Sequence, residues 1–243
     1  MRTRFLLLLA VLAALLVAVP AGQAIIGGTP DDGTHPYVAA ISNGSTICSG
    51  AAISPTVVVT AAHCFTFPSE PVRVIFDENY RSPDRTLRPG TWVANPDFCG
   101  DCDAVNDVAV VVLDEPVVLP RYAQLASLGL VDRLRGRADV ELVGYGVQEV
   151  VRDHRQLVPL PPSGLRMKAT ADLFGIPRSS ETGLVKITAR QRGAACFGDS
   201  GGPVLIGDTV VALNSFGSSD ACRGRSFAQR VDLAAVQSFV AGF

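Results

Sequence analysis

Three short segments carry residue types that can do nucleophilic chemistry. Thr60-Ala61-Ala62-His63-Cys64 sets a histidine at the end of a strand-like run. Asn106-Asp107-Val108-Ala109-Val110-Val111-Val112-Leu113 sets a carboxylate at the mouth of a run that reads as buried, and Gly198-Asp199-Ser200-Gly201-Gly202-Pro203 sets a serine in a glycine-rich turn. Taken singly, each has a plain structural reading: a partly buried histidine, an acid capping a loop, a tight turn. Together they supply a hydroxyl, a base to take its proton and an acid to fix the base's tautomer, which is what nucleophilic acyl transfer requires. Glycines around Ser200 let backbone N–H groups turn inward, as an oxyanion site needs.

The order of the three along the chain discriminates between unrelated scaffolds. Gly198-Asp199-Ser200-Gly201-Gly202 also fits the G-x-S-x-G elbow of lipases and esterases, but that arrangement needs its histidine after the serine. The histidines are His35, His63 and His154, and all precede Ser200. A subtilisin order of Asp32, His63 and Ser200 leaves Asp107 and six cysteines without a role. The remaining order, His63, Asp107, Ser200, comes with the motifs T-A-A-H-C and G-D-S-G-G-P, with Ile25-Ile26-Gly27-Gly28 and with Ser215-Phe216-Gly217. On these four motifs the sequence resembles the trypsin and chymotrypsin family over essentially everything after Ala24.

That resemblance implies an all-β fold of two antiparallel β-barrels with the site in the cleft between them. His63 and Asp107 would come from the first barrel and Ser200 from the second. By the same resemblance Ser200 is the attacking nucleophile, His63 the general base and then acid, and Asp107 the acid that orients His63. The backbone N–H groups of Gly198 and Ser200 correspond to the oxyanion hole, and Asp199 to the acid that pairs with the free amine of the mature N-terminus, here Ile25. The pocket for the substrate side chain before the cut is implied at Ala194, Ala195, Ser215, Phe216, Gly217 and Ser226. No acid stands at the Ala194 floor, and Gly217 and Ser226 leave room, so cleavage after Phe, Tyr, Leu or Met is expected. In a different register Asp220, Arg223 or Arg225 would intrude on that pocket. Phe216 stands where tryptophan is usual, and the extra disulfide often found before the serine motif is lacking. The resulting expectation is a serine endopeptidase working through an acyl-enzyme on protein or peptide substrates, with no metal or organic cofactor. A proteinaceous inhibitor is a compatible partner. Activity is expected to rise with pH as His63 loses its proton. An inert binding module on the same fold, or a non-proteolytic esterase, is the alternative; labelling of Ser200 by a fluorophosphonate separates the first, and activity on esters alone the second.

These residues need a scaffold and a compartment. The chain has 243 residues, 48% hydrophobic and 18% charged, enough to bury a large core. Lys plus Arg number 21 against 23 Asp plus Glu, without the basic footprint of a nucleic-acid binder. Arg2 and Arg4 precede an unbroken apolar run, Phe5 to Val19, and then Pro20 and small residues to Ala24. That is the layout of a secretory signal peptide, and the run is shorter than the roughly 18 residues that a membrane span needs. Residues 1–24 are therefore expected to be removed, leaving a secreted monomer, 25–243, without a membrane anchor. Ala24, not Arg or Lys, precedes Ile25, so export itself is expected to free that residue. A short propeptide, Gly22-Gln23-Ala24, is the alternative.

Six cysteines in an exported chain point to disulfides. Cys48 and Cys64, Cys99 and Cys102, and Cys196 and Cys222 lie close in sequence, so three local pairs form the simplest connectivity. A zinc site at Cys99/Cys102 would need two further ligands, and Asp77, Glu78 and Asp84 lack the spacing of a calcium loop. After Ala24 the chain reads as short β-branched runs, over 56–60, 72–76, 107–113, 139–146, 164–173, 184–190, 204–206 and 210–213, which predict an all-β sandwich or barrel. Gly207-Asp208 reads as a hairpin turn. The Pro-rich stretch Pro116 to Leu134 reads as a junction, placing one barrel at about 25–124 and the other at about 125–230. Leu233, Val236, Phe239 and Val240 predict a C-terminal helix within 231–243. His35 and His154 read as surface histidines.

Overall fold

The computed structural model describes residues 25–65, 69–102, 104–134, 136–175, 183–189 and 194–243; the expected signal peptide, 1–24, lies outside them. The first barrel is closed by β2 (Val38–Ser42), β3 (Ile47–Ala52), β4 (Val57–Thr60), β7 (Ala109–Leu113), β6 (Arg88–Ala94) and β5 (Ser69–Ile75), in that spatial order. The second runs β9 (Arg137–Gly144), β12 (Met167–Gly175), β13 (Leu184–Ala189), β16 (Arg225–Arg230), β15 (Thr209–Gly217) and β14 (Pro203–Ile206), with β14 pairing back to β9. Short β1 (Thr29–Pro30) adds antiparallel to β12, β8 (Gln124–Leu125) adds parallel to β15, and β10 (Val150–Asp153) and β11 (Gln156–Pro159) form a separate hairpin. This is the two-barrel all-β fold that the family resemblance implies. The two-residue Gly207-Asp208 turn joins β14 to β15 with Ile206 opposite Thr209.

Near-continuous Val in β4 and β7 marks strands covered on both faces, and all four β4 residues are buried. Their antiparallel register pairs Thr60 with Ala109. The end of β4 therefore meets the beginning of β7, which later brings His63 to Asp107. Strands β3 (ICSGAA) and β6 (RPGTWVA) lack β-branched runs, and pairing, not propensity, holds them extended. A Cβ at Gly50 would come within 2.8 Å of both Ile41 Cδ1 and the Val59 carbonyl. Three disulfides form, Cys48–Cys64, Cys99–Cys102 and Cys196–Cys222. The C-terminal helix covers Ala234–Val240, burying Val236 and Val240. It is shorter than 231–243 because Leu233 is extended and Asp232 is tied to Arg230 and to the Val131 N–H.

His35 corrects the surface reading: it is only 3% exposed, whereas His154 is exposed as expected. Its Nδ1–H donates to Asp31 at 2.5 Å, and its Nε2 lies 3.4 Å from Glu141. Asp31 also accepts from Arg166 Nε at 2.8 Å, and Arg166 Nη2 reaches Glu78. Burial opposes the Asp31 charge, but hydrogen bonds from the His35 ring and backbone N–H and from Arg166 outweigh it and hold the carboxyl at about 2. Burial likewise opposes the His35 cation, and hydrogen bonding to Asp31 and Glu141 outweighs it, raising the imidazole above its ordinary value. The lowered Asp31 stabilises the fold above the unfolded carboxyl's value of about 4, and that contribution is lost as pH falls through about 2. The raised His35 stabilises below about 6.5, and its contribution is lost as pH rises through its folded value. Urea denaturation should thus show about 2 kcal/mol lost at Asp31 between pH 5 and pH 2. Asp31→Asn should be less stable than wild type at pH 5 and approach it near pH 2; parallel profiles would contradict the assignment.

Candidate active site

The β4–β7 register sets the first two groups. After Thr60 the chain makes a single 3-10 turn, Ala62–Cys64, which turns His63 back over the start of β7, where Asp107 sits two residues before Ala109. The His63 backbone N–H donates to Asp107 Oδ1 at 2.9 Å, and Nδ1–H donates to Oδ2 at 2.7 Å. Two bonds to one carboxylate fix both the position and the tautomer of the ring. Asp107 is fully buried, Oδ2 also accepts the Ser215 hydroxyl, and its backbone N–H donates to Gln229 Oε1. Disulfide Cys48–Cys64 ties the residue after His63 to β3.

The second barrel supplies the third group. Gly201 donates its N–H to the Asn214 carbonyl, and Asn214 donates to Gly202, so the turn before β14 is stitched to β15. Gly201 has φ +74°, and a Cβ there would strike Thr60 Oγ1 and the Ala61 backbone; only glycine lets the loop lie against the first barrel. The Ser200 carbonyl accepts the Ser49 N–H at 2.8 Å, and the Ser200 hydroxyl lies 2.8 Å from His63 Nε2. A continuous line, Asp107 to His63 to Ser200, thus crosses from one barrel to the other. The His63 side chain, about one-third exposed at 33%, can receive a proton and hand it on.

Gly198 has φ +98°, and among the described residues neither its N–H nor that of Ser200 is bonded to protein. The Gly198 carbonyl is held by the buried Ser49 hydroxyl at 2.9 Å, and Ser49 Oγ in turn accepts the Tyr145 N–H. Ser49 was not visible from the sequence as a site residue, because a small residue inside a strand carries no signal of its own. Between Gly198 and Ser200, Asp199 is fully buried and accepts the N–H groups of Gly146 and Cys196 at 2.8 and 2.9 Å. Burial pushes its carboxyl up to about 7 against those two hydrogen bonds. Ile25 is buried, and Ile26 packs on Val147 and the Cys196–Cys222 pair, beside the groups that hold Asp199.

A cleft of about 690 Å³ opens beside Ser200 and His63. Ala195, Ser215, Phe216, Gly217 and Ser226 line it; Ala194 is buried and lies off its surface. Gly217 and Ser226 are directly paired between β15 and β16, which fixes the register of this wall. Phe216 stacks on Phe227 with centroids 4.9 Å apart. The lining also includes residues that the sequence did not single out: Phe98, Gly100 and Asp101 around the Cys99–Cys102 bridge, Phe197, and Asn214. Asp220 reaches the cleft, whereas Arg223 and Arg225 do not line it. Among the described residues no group of His, Cys, Asp and Glu is placed to hold a metal ion.

A family model described as Trypsin matches residues 25–238. The chain is 28% identical over 191 residues to a chymotrypsin of Phaedon cochleariae, covering 75% of this chain and 67% of that protein. It is 28% identical over 214 residues to granzyme M of Homo sapiens, covering 83% and 80%. Among solved structures it is similar to mouse neuropsin, described as a serine protease, with a TM-score of 0.73 over 90% of this chain and 99% of that one. Identity there is 18%, so the likeness is one of fold.

Proposed function

The chain belongs to the trypsin family, and from that premise we propose that it is a secreted serine endopeptidase in which His63, Asp107 and Ser200 do the chemistry. The observation that carries the reading is the hydrogen-bonded line from buried Asp107 through His63 to the Ser200 hydroxyl. Ser200 Oγ attacks the scissile carbonyl while His63 Nε2 takes its proton, and Asp107 steadies the imidazolium that forms. The carbonyl oxygen, now negative, is met by the Gly198 and Ser200 N–H groups, donors already aimed before the charge appears. His63 then protonates the leaving amine, an acyl-enzyme remains, and water reverses the steps. The same intact line weighs against an inert binding module.

In this reading residues 1–24 are removed on export and the new α-amine of Ile25 pairs with Asp199. A buried carboxyl pushed up to about 7 has a strained charged form, and an ammonium beside it relieves that cost. The neighbouring packing of Ile26 supports the short reach required. Cleavage follows a large apolar side chain, a preference supported by Phe98, Phe216 and Phe227 on the cleft wall. A second reading, a basic side chain, is favoured only by Asp220 at the same wall.

The test is to incubate the exported protein with an unfolded protein and read every cut by mass spectrometry, with Ser200→Ala as the blank. Cuts after large side chains, absent in the blank, are expected, with Ile25 as the N-terminus of the active chain. Cuts after Arg or Lys would transfer the specificity to Asp220, and no cuts would overturn the endopeptidase reading. A Gly22 N-terminus on active protein would overturn the role of Ile25.

A further inference from the structure

The cleft holds a polar side chain that none of the described residues satisfies. Asn214 is 2% exposed and lines the cleft, and among the described residues neither its Nδ2 nor its Oδ1 has a hydrogen-bond partner. Its backbone is used in full, donating to Gly202 and accepting from Gly201, so the loop that carries Ser200 also fixes where this side chain sits. Ser215, next along the chain, gives its hydroxyl to Asp107. Ala195, Gly217 and the Cys196–Cys222 disulfide bring no strong hydrogen-bonding side chain to the same wall.

Folded proteins leave few buried polar groups unpaired, because each one forfeits the hydrogen bonds it had in water. One that faces a binding cleft finds its partners in whatever enters. We propose that Asn214 selects, immediately before the cut, a large side chain ending in a group that both donates and accepts a hydrogen bond: the tyrosine hydroxyl or the glutamine carboxamide. This rests on the endopeptidase reading above: a tyrosine preference narrows its large apolar class, and a glutamine preference replaces that class. The Asn carboxamide offers two N–H donors and one acceptor oxygen. A phenyl or leucyl group fills the space and displaces water but leaves both atoms unpaired, whereas a hydroxyl or carboxamide answers them. Sites built to hydrogen-bond a substrate group reject the analogue that lacks it more strongly than shape alone allows.

Two matched peptide pairs test this, identical except for Tyr against Phe, or Gln against Leu, before the cleaved bond. kcat/KM is measured with the wild-type mature protein and with Asn214→Leu, in which an apolar group of similar size replaces the amide. The wild type should favour the polar member of at least one pair by about tenfold or more. A Tyr/Phe preference identifies the hydroxyl, and a Gln/Leu preference identifies the carboxamide. In Asn214→Leu the ratio should fall to about one or below, while the melting temperature rises because the unpaired amide is gone. Wild-type ratios near one in both pairs, a result that needs no variant, overturn the proposal and leave the endopeptidase reading standing. A ratio that survives Asn214→Leu also overturns it, and failure to cut any of the four peptides overturns the endopeptidase reading and the proposal together.

Discussion

Ser200→Ala is expected to lower turnover on peptides by about a million-fold while leaving the fold and KM nearly unchanged. The alanine methyl keeps the backbone in place, so the Gly198 and Ser200 N–H groups and the cleft remain. What disappears is the hydroxyl oxygen 2.8 Å from His63 Nε2. The remaining slow reaction would be attack by water on a carbonyl that the oxyanion donors still polarise, about 10³- to 10⁴-fold above the uncatalysed rate. Single-turnover kinetics with a peptide ester would read this directly, since the acyl-enzyme burst must vanish. A burst that persisted in the alanine variant would place the nucleophile elsewhere.

Asp107→Asn is expected to lower kcat by about 10⁴-fold, the size usual for the loss of the acid in a Ser-His-Asp site. All the groups around this side chain are donors: the His63 backbone N–H on Oδ1, and His63 Nδ1–H and the Ser215 hydroxyl on Oδ2. A carboxylate accepts from all three, whereas an asparagine must turn an N–H₂ towards one of them. If it faces the ring, His63 moves its proton to Nε2, and the nitrogen that should accept from Ser200 becomes a donor. The fall should therefore appear in kcat with KM little changed, with far-ultraviolet circular dichroism as the check on folding. A loss of less than tenfold would mean that Asp107 only caps the loop before β7.

The candidate constellation could be named from the sequence because the chemistry it would do depends on residue type and order, and both survive in a linear string. His63 ahead of Asp107 ahead of Ser200 excludes an esterase elbow without any knowledge of distances. The strands β4, β7, β14 and β15 were legible as well, since runs such as VVVT and AVVVL advertise burial. What escaped was set by partners distant in sequence. His35 looked like a surface residue because Glu141 and the Arg166 that shares Asp31 with it lie more than 100 residues away. Phe98 and Asp101 reach the cleft from one loop and Asp220 from another, and no local pattern joins them. Asn214 passed as one polar residue in an apolar strand, and its meaning comes from the lack of partners for its side chain among the described residues.

Arg166 gives the two barrels a shared fate. From the loop before β12 its guanidinium reaches Asp31, the Val38 carbonyl of β2, the Phe76 carbonyl and Glu78, and it is only 2% exposed. Parting the barrels would take the guanidinium away from the Val38 and Phe76 carbonyls and from Glu78, breaking hydrogen bonds that cross between the halves. If the boundary lies near residue 124, it should be a division of shape and not of cooperativity, with a single melting transition expected in calorimetry of the whole chain.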